Sequence, residues 1–95
     1  MHIRVVRFTS VNPAQLDALV ARIEEADGPP PGVPAHRFTI LHDETQATAV
    51  VLQYFDSAEG MSEAAQVLDA MDASETPGTR ATVDACEVRL DRKAS

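Results

Sequence analysis

Tryptophan is absent from this 95-residue chain, cysteine and tyrosine each occur once, and glycine occurs four times. The single cysteine, Cys86, excludes an internal disulfide and a thiolate metal cluster built from one chain. No Gly-rich phosphate cradle and no G-x-S-x-G nucleophile motif can be found. Positive charge is also scarce: eight Lys and Arg face 15 Asp and Glu, for a net charge of -7. The basic residues are scattered, which argues against nucleic acid and against an anionic membrane surface. Long apolar runs are missing too. The opening MHIRVVRFTS alternates, so the expectation is no signal peptide, no membrane span and a cytoplasmic protein.

What is present is ordinary globular material, 44% hydrophobic and 24% charged. The length suits one domain over residues 1–95, with 91–95 as a frayed tail. A domain this small buries a modest share of its surface, and oligomerisation is a common remedy.

The pattern along the chain predicts βαββαβ. Residues His2 to Thr9 read as a strand. Asn12-Pro13 is a helix start, and Leu16, Leu19, Val20 and Ile23 follow at one-face spacing. Gly28 and the prolines that follow it end the helix, near residue 26, in a stiff loop. Ala35–His42 and Ala47–Phe55 read as a hairpin around a polar turn. Asp56 or Ser57 then caps a second helix over 58–71, with Met61, Ala64, Ala65, Leu68 and Met71 on one face. Pro77-Gly78 breaks the chain before a last strand, Arg80–Leu90. This order is a ferredoxin-like α+β arrangement: a four-stranded antiparallel sheet with both helices on one face. Val50, Val51 and Leu52 supply apolar side chains to both faces of strand three, which predicts a homodimer packed sheet to sheet.

LQYFDSAEGMSEA, residues 52–64, carries a resemblance. An apolar strand, then aromatic-x-Ser, then a helix opening with acidic and small residues resembles the antibiotic-biosynthesis-monooxygenase-like family, as does MHIRVVRFTSVNPAQLDALVARI. The resemblance implies the dimeric α/β barrel fold and a cavity between sheet and helices. It also implies a family that includes cofactor-free oxygenases of aromatic polyketides, haem-degrading enzymes and members without an assigned activity. Against the haem-degrading members, Arg7, Ala64 and Ser74 stand where the family has Asn, Trp and His, so no haem is implied. Phe55 stands where the family usually has Trp.

Several residues are candidates for chemistry. Tyr54 and Phe55 are either core aromatics beside a helix cap or the wall on which an aromatic ligand stacks. Met61 and Met71 would fill or line the same cavity. Arg7 shares parity with Ile3 and Val5, and the family alignment places it toward the helices. There it meets a ligand oxygen, pairs with Asp84 or snorkels to the surface. The candidate pocket is therefore Arg7, Tyr54, Phe55, Met61 and Met71. His36 and His42 share parity but stand about 20 Å apart along a strand, too far to chelate one ion. Cys86 is expected to be a packed thiol. No metal and no cofactor are expected, and no catalytic residue is assigned. Two functions fit. One is a non-catalytic dimeric module that binds a small molecule or a partner. The other is a cofactor-independent monooxygenase or cyclase/isomerase acting on an aromatic polyketide-like ligand.

Overall fold

The computed structural model describes residues 1–26, 28, 33–69 and 76–94. In chain order the elements are β1 (His2–Thr9), α1 (Pro13–Glu25), β2 (Arg37–Asp43), β3 (Thr48–Phe55), α2 (Ala58–Asp69) and β4 (Thr79–Glu87). This is the expected βαββαβ order. The second strand starts at Arg37 instead of Ala35, and the last ends at Glu87 instead of Leu90. The end predicted for the second helix, residues 70–71, lies outside the described residues.

The sheet order is β2-β3-β1-β4, and every neighbouring pair is antiparallel. Since β1 and β2 both oppose β3, they run parallel to each other, with α1 as the crossover between them. That crossover fixes the direction of α1 relative to β2, which positions the groove described below.

Short polar side chains set the helix starts. Asn12 Oδ1 accepts from the backbone N–H groups of Ala14 at 2.9 Å and Gln15 at 3.2 Å. Two donors that the helix itself cannot satisfy are thereby paired, and Pro13 has no N–H to lose. At α2 the cap is Ser57, whose Oγ accepts the Gly60 N–H at 3.0 Å. Asp56 instead turns toward His36, its Oδ1 lying 3.4 Å from Nε2.

Two backbone contacts tie the loops together at one end of the sheet. The β2–β3 turn places Ala47 at φ 54, and the Ala47 carbonyl accepts the Val11 N–H at 2.9 Å. The Asn12 N–H donates to the Pro77 carbonyl at 2.9 Å. Gly78 follows at a close approach: a Cβ there would sit 2.5 Å from the Thr9 carbonyl oxygen, so no larger residue fits without a backbone shift.

Both helices cover the same face of the sheet. Leu16 of α1 packs with Val6, Phe8, Val11, Ala49 and Val51. Met61 and Ala64 of α2 pack with Phe55 and with Val33 and Ala35 from the loop before β2. On β3 burial alternates strictly, with Ala49, Val51, Gln53 and Phe55 inward. The other face presents Ile3, Val5 and Arg7 from β1 and their cross-strand partners Tyr54, Leu52 and Val50 from β3. Edge strand β4 is exposed along its whole length. The expectation of a packed Cys86 is therefore corrected: the residue sits on this uncovered strand, and its thiol is exposed.

Candidate functional site

Between the two apolar clusters the sheet–helix interior carries a polar group that the sequence reading did not select. Arg4 faces the helices and is 4% exposed. Its Nη1 donates to Gln53 Oε1 at 3.0 Å, and its Nη2 to Asp69 Oδ1 at 2.9 Å. Arg80 Nη1 reaches the same carboxylate oxygen at 2.9 Å. Among the described residues Arg4 Nε is buried without a hydrogen-bond partner. Burial pushes the Arg4 guanidinium below the usual arginine range; Asp69 opposes that shift and Arg80 adds to it. The cluster fastens the last turn of α2 to β1 and β4. Gln53 was the available signal, since a mid-strand amide flanked by inward apolar residues needs a partner across the ladder.

Arg7 takes the opposite position. It is exposed and lies on the face away from the helices, where its register partners are Val50 and Thr82. The expected helix-facing placement is corrected. Strand parity separates residues 4 and 7, and it is Arg4 that shares a face with Val6 and Phe8. Among the described residues Arg7 forms no ion pair with Asp84. It contributes instead to a shallow depression of about 270 Å³ at the hairpin end, with Leu41, His42 and Asp43.

The four candidate pocket residues that the structure describes do not converge. Phe55, fully buried, and Met61 belong to one apolar cluster on the helix side. Tyr54 lies on the other face, with the Arg37 guanidinium 5.7 Å from its ring centre and the His36 ring tilted beside it at 6.2 Å. Met71 lies outside the described residues. Space is found elsewhere. An open groove of about 430 Å³ runs between α1 and β2, lined by Leu16, Asp17, Val20, Ile23 and Glu24 from the helix and Phe38, Ile40 and His42 from the strand. The strand residues alternate, so all three point to the helix side. Because α1 runs back against β2, Asp17 and His42 share one end of the groove, and Glu24 and Phe38 the other.

Comparison with solved structures adds the fold. The chain aligns over 97% of its length with 96% of a candidate antibiotic biosynthesis monooxygenase from Chloroflexus aurantiacus, at a TM-score of 0.61 and 18% identity. A second candidate antibiotic biosynthesis monooxygenase, from Deinococcus radiodurans, aligns over 100% of this chain and 99% of its own, with a TM-score of 0.58 and 15% identity. A protein from Mycobacterium tuberculosis aligns over 98% of both chains, with a TM-score of 0.51 and 14% identity. This chain has their fold. The resemblance drawn from residues 52–64 and from the amino-terminal stretch thus agrees with the architecture, and at these identities the likeness is one of fold. No family model and no curated protein matches the sequence. No helix among the described residues is long and apolar enough to cross a membrane. Among the same residues, no three His, Cys, Asp or Glu side chains gather where they could hold a metal ion.

Proposed function

We propose that this chain is a small-molecule-binding module of the dimeric α/β-barrel type. Two copies pair through the open sheet face, and each keeps its α1–β2 groove for a small apolar or aromatic ligand. The observation that carries the reading is the groove. Its volume of about 430 Å³ suits a small organic molecule, and its floor of Leu16, Val20, Phe38 and Ile40 is apolar. Its polar groups stand at opposite ends of that floor. They are placed to orient a ligand, and they do not converge on one reacting atom. Pairing is supported by the open face, where Ile3, Val5, Val50, Leu52 and Tyr54 adjoin across β1 and β3, and Leu41 on β2 is 51% exposed. A contiguous apolar patch of this kind is uncommon on a monomer.

Two structural neighbours are described as candidate antibiotic biosynthesis monooxygenases, which favours a second reading as a monooxygenase. The sequence resemblance extends that reading to a cofactor-independent monooxygenase or cyclase/isomerase acting on an aromatic polyketide-like ligand. His42 at the groove end is then the available base. Native mass spectrometry of gently purified protein separates the readings. The binding module is expected as a dimer retaining a small ligand, and Val20→Trp, which fills the groove, is expected to release it. A monomer without ligand, or full retention in Val20→Trp, overturns the proposal. Oxygen uptake or ring closure on addition of a reduced aromatic polyketide moves the conclusion to the second reading.

A further inference from the structure

We infer that the α1–β2 groove selects a cationic ligand, an organic amine on a small apolar or aromatic body, with the ammonium held at the Glu24 and Phe38 end. The inference rests on the reading of the groove as a small-molecule site and adds the ligand's chemical class. Asp17, Val20 and Glu24 stand at i, i+3 and i+7, so they form one stripe of α1, and all three line the groove. The two carboxylates lie about 10 Å apart along the axis, at 1.5 Å per residue. Apolar side chains fill the interval between them. No arginine or lysine is among the described residues that line the space. The sign of the charge is therefore opposite to what an Arg7 anchor would have required.

A second observation selects the end. Glu24 lies in the last turn of α1, next to Glu25, at the negative pole of the helix. An acid there opposes the helix dipole, and Arg22 is the only basic residue of that turn. A ligand ammonium would meet the carboxylate and the helix pole together, and its apolar body would meet Phe38, which lines the same groove. At the other end Asp17 and His42 line the groove together, whereas among the described residues no imidazole lines the Glu24 end. The apolar body then lies over Val20 and Ile40. The net charge of -7 favours the approach of a cation from solution.

Three probes on one ring system test the inference on the full chain: naphthylmethylamine, naphthalenemethanol and naphthoic acid, titrated by calorimetry. The amine is expected to bind about fivefold more tightly than the alcohol, the acid more weakly than either, and only the amine to lose affinity as salt rises. Glu24→Gln is expected to erase the difference between amine and alcohol and to leave the alcohol unchanged. Asp17→Asn is expected to do less. Val20→Trp is expected to weaken all three probes, which locates them. Equal binding of amine, alcohol and acid overturns the charge inference and leaves the groove reading standing. An amine preference that survives Glu24→Gln overturns the assigned end. Failure of every probe to bind overturns the groove reading together with the inference.

Discussion

The two faces of the sheet are built from similar side chains and meet different surroundings. Toward the helices, β1 presents Arg4, Val6 and Phe8; away from them it presents Ile3, Val5 and Arg7. Each set is two apolar residues and one arginine. The inward guanidinium is buried between two apolar clusters and bonded to Gln53 and Asp69. The outward one is exposed beside Val50. The covered face has its neighbours within the chain. The open face has the same apolar character without them, which is the physical ground for expecting a second copy.

The largest effect is expected on the covered face. Phe55 is fully buried against Met61, Ala64, Val33 and Ala35. Phe55→Ala should cost about 4 kcal/mol in a urea unfolding series, from lost transfer energy plus the cavity. For a domain this small that is a large part of the total stability. A cost below about 1 kcal/mol would mean that the α2 side of the sheet is not the packed core described.

Next comes the open face. Leu52 lies opposite Val5 on one side and Thr39 on the other. Leu52→Lys would bury a charge from each copy in a sheet-to-sheet interface. The dimer dissociation constant should rise at least hundredfold, or about 2.8 kcal/mol, while the fold of each chain persists. Light scattering and far-UV circular dichroism read the two quantities separately. An unchanged dimer would place the contact elsewhere.

The same substitution at two positions of β1 tests the comparison directly. Arg4→Met removes the donors to Gln53 and Asp69 and should destabilise by about 2 kcal/mol. The cost falls short of that for a fully buried pair because Asp69 is half exposed and keeps Arg80. Adding Gln53→Leu should recover part of the loss, since it removes the amide left without a partner. Arg7→Met should stay within about 0.5 kcal/mol for the fold. Equal costs at the two positions would contradict the face assignment.

This pair also explains what could be read from the sequence. Element order, helix faces and the hairpin were legible because helix and strand periods differ and because Asn12, Pro13, Ser57 and Pro77-Gly78 mark the boundaries. The facing of β1 was not. Strand parity divides His2–Thr9 into two sets of equal apolar content, and the period does not say which set meets the helices. The expectation drawn from parity with Ile3 and Val5 placed Arg7 in the interior, where the structure has Arg4. Tyr54 and Phe55 suffered from the same limit, since adjacent strand residues must point to opposite faces and cannot line one cavity together. The groove escaped because it is assembled from α1 and β2, whose contact depends on the crossover and leaves no short motif.

The smallest effect belongs to the hairpin tip, beyond the reach of either helix. The Asp43 carboxyl is held below the usual carboxylate range, first by the Gln46 side chain, whose Nε2 donates to Oδ2 at 2.7 Å, and next by the Gln46 backbone N–H, which donates to Oδ1 at 3.2 Å. A folded pKa below the unfolded value means that the folded state binds fewer protons in this range. The stabilisation is therefore complete at neutral pH, where Asp43 is ionised in both states. It is lost as the pH falls from the ordinary carboxylate range through the depressed folded value. Gln46→Ala removes the largest cause and keeps the backbone donor, so the Asp43 pKa should rise part of the way back, read by carbon NMR titration of its carboxyl. Stability at neutral pH should fall slightly, with the difference from the parent protein closing in acid. The sheet faces should not sense the change: the dimer mass of Gln46→Ala should match the parent at every pH where both are folded. If acidification separates the dimer of one protein and not the other, the hairpin tip is coupled to the open face, and the two regions are not independent.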